Sequence, residues 1–247
     1  MFIGYKAEAR SDKGRVRPNN EDKVAHFRTD IGTVWMVCDG MGGHAAGEKA
    51  SELAVKAVFD FFRQPPSLPY PQLLEKALHY ANDAIYTVAQ ANPQYRKMGT
   101  TCVIALYKDG LVYYGHVGDS RLYYMRGGQL VQKTQDHSYV QFLISQGLLT
   151  PEEAAFHPRR HVILRALGIS PRPEPEIAPE PLQIQPGDML LLCSDGLTNM
   201  LSDKEIETIL NLRLPLRQRV TALIDAANDA GGHDNISVII VEFEALS

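Results

Sequence analysis

Apolar residues follow two different spacings along this chain, and the switches between them mark out its elements. β-Branched and aromatic residues run through Phe2 to Ala9, Val24 to Phe27 and Thr33 to Cys38, and the third run stops abruptly at Asp39-Gly40-Met41-Gly42-Gly43. These are predicted strands. The spacing then turns helical: Ala50, Leu53, Ala54, Ala57, Val58 and Phe61 recur on one face, and Leu74, Ala77, Leu78, Ala81, Ile85 and Val88 on another. Two amphipathic helices follow from that pattern, with Pro65-Pro66, Pro69 and Pro71 punctuating the join.

A β-rich block comes next. Runs at Thr100 to Tyr107, Leu111 to Val117, Ser120 to Met125 and Gln129 to Gln132 are separated by Lys108-Asp109-Gly110, Gly118-Asp119 and Gly127-Gly128. Turn-forming residues between apolar runs are hairpin signals, so the block is expected to form one antiparallel meander. From His137 to Leu167 the pattern thins to two short helices. The first carries Val140, Leu143 and Ile144 and stops at Gly147; the second opens at Thr150-Pro151-Glu152-Glu153. There Thr150 can cap the first turn, Glu153 can reach back to it, and proline holds the first helical position. Beyond a proline-rich stretch lie a strand (Met189 to Cys193), a helix with a Ser202-x-x-Glu205 capping box, a helix carrying Val220, Leu223, Ile224 and Ala227 and stopped by Gly231-Gly232, and a last strand (Ile236 to Phe243). Strand runs grouped around helix pairs predict antiparallel sheet layers with helices outside, not alternating βαβ units.

Composition narrows the function classes. With 247 residues, 45% of them apolar, a sizeable core is available. Lys and Arg number 25 against 29 Asp and Glu, a net charge of −4, so nothing draws the whole chain to nucleic acid or to anionic lipid. The densest basic clusters, Lys13-Gly14-Arg15-Val16-Arg17 and Pro158-Arg159-Arg160-His161, are short and lack interleaved aromatics. No charged-then-apolar leader pattern opens the sequence, and its longest apolar runs fall far short of the ~20 residues of a membrane span. The expectation is a cytoplasmic protein that binds neither membrane nor nucleic acid. Cys38, Cys102 and Cys193 sit in or beside apolar runs without metal-ligand spacing, which predicts buried free thiols.

The chemistry resides in carboxylates. Asp39, Asp119 and Asp195 each end an apolar strand-like run, Asp234 precedes one, and Glu21-Asp22 precede the strand at Val24. If those strands are neighbours, their ends gather several carboxylates. Such groups repel one another and resist desolvation, so the arrangement needs positive charge among them. Hard divalent cations fit, since Mg²⁺ and Mn²⁺ prefer oxygen ligands and can share a bridging carboxylate. Gly40 leaves room for a metal to reach its backbone carbonyl. Two ions with a bridging water imply hydrolysis at phosphorus. A phosphate also calls for a guanidinium, and Arg17, four residues before Glu21, can face the same site. His44 can protonate a leaving alkoxide.

Six motifs carry a family resemblance: Arg17-Pro18-Asn19-Asn20-Glu21-Asp22, Asp39-Gly40-Met41-Gly42-Gly43-His44, Met98-Gly99-Thr100-Thr101, Val117-Gly118-Asp119-Ser120-Arg121, Cys193-Ser194-Asp195-Gly196-Leu197 and Gly232-His233-Asp234-Asn235-Ile236-Ser237. In order and approximate spacing the chain resembles the metal-dependent protein phosphatases, the type 2C serine/threonine phosphatases, in their compact bacterial form, from about Phe2 to Phe243. The resemblance implies an α+β fold: a four-layer αββα sandwich of two antiparallel sheets flanked by helix pairs, with a small flap subdomain at about 137–167 that helps to select substrates. It implies that Asp39 bridges two Mg²⁺ or Mn²⁺ ions, that Gly40 offers its carbonyl to one, and that Asp195 and Asp234 complete the other's shell. Glu21 and Asp22 would hold metal-bound waters, Asp119 a third ion, Arg17 the substrate phosphate, and Asn235 the Asp234 loop. Met41 stands where the eukaryotic form has its general-acid histidine, so His44 is expected to serve instead.

The expected reaction is direct attack on the phosphorus of phosphoserine or phosphothreonine by a hydroxide held between the metals. Its partners are phosphoproteins, in the manner of enzymes that oppose serine/threonine kinases, and the chain is expected to act as a monomer. A catalytically silent metal-binding module that only binds phosphoproteins is the alternative, and the complete acidic set argues against it. A nucleotide-binding phosphotransferase is weaker still, because no Gly-Lys-Ser/Thr follows Gly40 to Gly43. The acidic set spans both sides of the five prolines between Ser170 and Pro181, so that stretch is expected to be an internal loop of one catalytic domain, 1–247.

Overall fold

The computed structural model describes residues 3–43 and 45–245. Phe2, at the start of the first expected strand, and His44, the expected general acid, lie outside the described residues.

The chain opens with three strands, β1 (Ile3–Asp12), β2 (Asp22–Thr29) and β3 (Gly32–Met41). Helices α1 (Ala45–Arg63) and α2 (Tyr70–Ala91) follow as the periodicity requires. The β-rich block gives β4 (Gly99–Thr100), β5 (Cys102–Lys108), β6 (Leu111–Val117), β7 (Arg121–Arg126) and β8 (Gln129–Gln132). Segment 137–167 holds α3 (Tyr139–Ser145), capped by Ser138, and α4 (Pro151–Ala154), with the Thr150–Glu153 capping box formed. Two short strands, β9 (Glu176–Ile177) and β10 (Leu182–Gln183), precede β11 (Met189–Cys193). The last third adds α5 (Asp195–Thr198), α6 (Asp203–Leu210), α7 (Leu216–Asp229) and β12 (Ile236–Ala245).

Two antiparallel sheets result. One has the order β1-β12-β11-β7-β8; the other runs β10-β6-β5-β3-β2, with β4 added to β3 and β9 to β6. Trp35, Val37, Val103 and Ala105 of the second sheet pack with Leu190, Leu192, Ile239 and Val241 of the first in one buried apolar layer. The alternate residues of β3 and β5, Met36, Cys38 and Ile104, point outward beneath Ala50, Ala54, Leu74 and Leu78 of α1 and α2. Tyr123, Leu191, Val238 and Ile240 do the same beneath Leu197, Ile206, Leu223 and Ile224 of α5 to α7. The central strands therefore read as unbroken apolar runs, since both of their faces are covered. Each of Leu74, Leu78 and Ile85 is fully buried, and each such side chain contributes about 1.5–3 kcal/mol. The order helix, sheet, sheet, helix is the expected αββα sandwich.

Two expectations change. The block from Thr100 to Gln132 is not one meander: β5 and β6 belong to one sheet, β7 and β8 to the other. The chain crosses between them at Gly118-Asp119, where Gly118 has φ +104° and a Cβ would lie 2.6 Å from Thr101 Cγ2. A hairpin turn and a sheet-to-sheet crossing use the same residue types, so sequence alone does not separate them. The proline-rich stretch is also more than a loop, because β9 and β10 pair with β6 along the sheet edge, where proline is tolerated. The three cysteines are free and buried. Among the described residues, no helix is long and apolar enough to cross a membrane.

Candidate metal centre

The register of the two sheets brings the acidic residues to one end of the sandwich. β2 pairs with β3 so that Asp22 stands opposite Asp39. Asp39 is fixed through its backbone: its N–H donates to Thr101 Oγ1 (3.1 Å), and its carbonyl accepts from Thr101 N (2.9 Å) and Thr100 Oγ1 (2.9 Å). Next to it, Gly40 N–H donates to Glu21 O (3.2 Å), which also accepts Ser51 Oγ of α1 at 2.6 Å. A Cβ on Gly40 would sit 2.1 Å from Gly47 O, so helix α1 approaches this turn closely only because residue 40 has no side chain.

Asp195 begins α5 at the end of β11. Asn199, one turn later, donates from Nδ2 to its Oδ2 at 2.9 Å. Ser194, just before it, donates to Asp22 Oδ2 (2.8 Å) and accepts Ser237 N–H (3.0 Å), which stitches the two sheets together beneath the site. Asp234 lies on the turn into β12. Asn235 fastens that turn by donating from Nδ2 to Lys13 O (2.9 Å) and Asn19 O (2.8 Å) and accepting Glu21 N–H on Oδ1 (2.8 Å). Arg17 Nη2 donates to Asp234 Oδ2 at 2.6 Å. Asp119, after the Gly118 crossing, is buried.

A cleft of about 670 Å³ opens over this floor, lined by Arg17, Glu21, Asp39, Gly40, Asp195 and Asp234. A smaller cavity of about 360 Å³ adjoins it, between Asp119 and Asp195 on one side and α3 and α4 on the other. His161 of segment 137–167 reaches the rim of the main cleft.

The electrostatics are those of an uncompensated acidic cluster. Burial pushes the Asp39 carboxyl well above the usual range, and the charges of Asp22, Asp195, Asp119 and Asp234 push it the same way. Burial takes Asp22 to about 7, with Asp195 and Asp234 adding to it, although Ser237 and Ser194 donate to the carboxylate. Asp119 rises through burial and then Asp195 and Asp136; Asp195 rises through burial and then Asp234. Like charges about 4 Å apart repel by roughly 4 kcal/mol near a protein surface. Arg17, half-exposed and paired to Asp234, cannot offset four more carboxylates. One oxygen each of Asp22, Asp119 and Asp195 is buried without a hydrogen-bond partner, in an environment where such atoms are nearly always bonded. All-oxygen donors, converging charge and unused lone pairs are what Mg²⁺ or Mn²⁺ requires, so the residues fit divalent ions.

Every expected site residue within the described chain therefore reaches this end of the sandwich. Thr101, Ser194, Asn199 and His161 also belong to it, and sequence reasoning gave them no role. Asn199 had a usable signal, since an amide four residues after Asp195 on a helix faces the same way. Thr101 and Ser194 act through bonds across the sheets that no local pattern reveals.

Comparison with known proteins agrees with this geometry. The family described as Protein phosphatase 2C matches residues 14–238. The chain is 40% identical over 241 residues to the serine/threonine phosphatase stp of Listeria monocytogenes, covering 96% of this chain and 95% of that protein. It superposes on the serine/threonine phosphatase of S. agalactiae with a TM-score of 0.91 at 34% identity, covering 97% and 99% of the two chains. A second similar structure is the catalytic domain of the serine/threonine protein phosphatase PstP in complex with two manganese ions (TM-score 0.86, 36% identity, 99% and 100% covered).

Proposed function

The chain belongs to the protein phosphatase 2C family and is a Mg²⁺/Mn²⁺-dependent protein serine/threonine phosphatase, and we propose that the acidic cleft is where it hydrolyses phosphoserine and phosphothreonine. The orphaned oxygens of Asp22, Asp119 and Asp195, gathered around Asp39, carry this assignment. Asp39, the Gly40 carbonyl, Asp195 and Asp234 would hold two ions, with Asp119 and Asp195 available to a third. The two manganese ions of the similar PstP domain support that number. When bound, such ions supply Lewis acidity, which lowers the pKa of water and neutralises charge on phosphoryl oxygens.

The chain's own residues do the rest. The Arg17 guanidinium, half-exposed at the cleft mouth, exchanges Asp234 for two non-bridging phosphate oxygens, which its planar fork matches. Glu21, which lines the cleft, would hold water there, and Asp22, buried behind it, is read in the same part through the Oδ1 that has no protein partner. Asn235 keeps the Asp234 turn, the Lys13–Asn19 loop and Glu21 in register, so that the acidic groups are in place before substrate arrives. His44 is assigned on sequence grounds as the proton donor to the departing serine or threonine oxygen.

We read residues 1–247 as one catalytic domain, with segment 137–167 as a flap that helps select the phosphoprotein. We further read the chain as a monomer of a bacterial cytoplasm, acting on the products of serine/threonine kinases, as the bacterial sources of its relatives support. The test is hydrolysis of a phosphothreonine peptide and of p-nitrophenyl phosphate with Mn²⁺ and with chelator. Turnover that needs Mn²⁺ and vanishes in Asp39→Ala and Asp234→Ala is the expected result. Turnover that survives chelation refutes the metal-dependent cleft, and metal uptake without turnover points to a silent binding module.

A further inference from the structure

Segment 137–167 leaves and rejoins the sandwich at one point, and four polar contacts there converge on His137. Its backbone N–H donates to Gly118 O at 2.9 Å, and its carbonyl accepts Leu164 N–H at 2.7 Å. Its ring Nδ1 accepts the Gly118 N–H at 3.1 Å, while Nε2 lies 3.4 Å from Glu176 Oε2 in β9. One buried histidine thus joins both ends of the segment to the turn that carries Asp119 and to the sheet edge. The ring stacks on His116 with centroids 4.4 Å apart.

The contact at Nδ1 is the shorter one and sets the tautomer, over the Arg165 Nη1 that also lies 3.4 Å from Nε2. A backbone N–H can only donate, so Nδ1 keeps its lone pair and the proton of the neutral ring sits on Nε2, facing the Glu176 carboxylate. Burial, His116 and Arg165 keep the ring neutral by lowering its pKa to about 4. The ligand-type atoms of His116, His137 and Glu176 do lie within 4.8 Å of one another, a spacing open to a transition metal. The bonds argue otherwise. His116 Nε2 donates to Gln135 O at 2.7 Å, His137 has no lone pair free, and the Arg165 guanidinium stands 3.4 Å from His137 Nε2, where it would repel a cation.

We propose that His137 is a positioning residue: the chain from Gly118 N–H through the imidazole to Glu176 holds the Asp119 turn against the base of segment 137–167, so that the segment beside the cleft and the Asp119 carboxylate are placed together. This rests on the proposed metal-binding role of Asp119. The turn has little slack elsewhere, because Gly118 already packs on Thr101 at φ +104°. Without the ring, the His137 N–H bond to Gly118 O is the one hydrogen bond left between Gly118 and the segment among the described residues.

The experiment has an activity-independent arm and a coupling arm. Long-range ¹⁵N–¹H NMR should find the Nε2–H tautomer at His137 and slow exchange at the Gly118 amide. Exchange should quicken by about 10-fold in His137→Ala and recover in His137→Asn, whose Oδ1 replaces Nδ1 as acceptor. His137→Ala should also weaken the weakest Mn²⁺ site seen by calorimetry by about 5- to 10-fold, and should cost nothing further in an Asp119→Asn background. Should His137→Ala not fold, Glu176→Ala and Glu176→Gln test the other end, with glutamine restoring the acceptor. An Nδ1–H tautomer overturns the proposal, as do equal losses from His137→Ala in the wild-type and Asp119→Asn backgrounds. So does stoichiometric zinc uptake that Glu176→Gln abolishes. A wild type without turnover, but with the Nε2–H tautomer, the protected Gly118 amide and the coupled Mn²⁺ effect, refutes the phosphatase site alone.

Discussion

The acidic cleft and the His116–His137–Glu176 cluster both gather residue types that bind metals, at the same end of the sandwich, and they differ in what their polar atoms already do. In the cleft, carboxylates converge with raised pKa values and three oxygens have no partner. In the histidine cluster, both His137 ring nitrogens face partners and His116 Nε2 donates to a carbonyl. Residue type does not separate a metal site from a structural link; leftover bonding capacity does. The first cluster is incomplete without a cation, and the second closes on itself.

The largest way to break that contrast is to remove a carboxylate. Asp39→Asn or Asp234→Asn should lower kcat/KM on a phosphothreonine peptide by at least about 10³-fold, roughly 4 kcal/mol. The same Asp39→Asn substitution should raise the melting temperature of the metal-free protein, because it removes a charge the buried cluster repels. A drop in metal-free stability would mean that the carboxylates already stabilise one another.

The two clusters should also respond to pH with opposite signs. Asp22 has its folded pKa raised to about 7, so its contribution is present below the ordinary value near 4 and is lost as pH rises toward 7. The full shift corresponds to about 4 kcal/mol. His137 has its folded pKa lowered to about 4, so its contribution is present above 6.5 and is lost as pH falls toward 4. Urea denaturation of metal-free protein at pH 5 and pH 8 should show Asp22→Asn removing loss at the alkaline end and His137→Asn removing loss at the acid end. Mn²⁺ should stabilise the protein more at pH 8 than at pH 5, and an equal gain would contradict the raised carboxylates.

Arg17→Ala should raise KM for the phosphopeptide by about 10-fold with a smaller effect on kcat, since the guanidinium binds phosphate in the ground state as well. Asn235→Ala removes three hydrogen bonds that join the Asp234 turn to residues 13–21, and should cost about 1–3 kcal/mol of stability by denaturant melt. Glu176→Ala is expected to have the mildest effect, a few-fold at most on peptide turnover, because its side chain is half-exposed.

Much of this architecture was legible before the fold was known. The apolar runs at Thr33 to Cys38 and Met189 to Cys193 announced strands, and the carboxylates beside such runs would share an edge if those strands were neighbours, which they are. The layer change at Gly118 was not legible, because glycine at φ +104° serves a crossing as readily as a hairpin. Thr101 and Ser194 contribute through bonds spanning 62 and 172 positions, and long-range pairing of that kind leaves no trace in local spacing. The five prolines after Ser170 were read as a loop, but β9 lies among them and β10 directly follows the last, both on a sheet edge, where a missing N–H costs nothing on the solvent side.

Calorimetric titration of Mn²⁺ into the wild-type protein and into Asp39→Asn tests the central claim most directly. Uptake of two ions by the wild type, with the stoichiometry or affinity lost in Asp39→Asn and preserved in His137→Asn for those two ions, is the predicted result. Equal uptake by wild type and Asp39→Asn would contradict it.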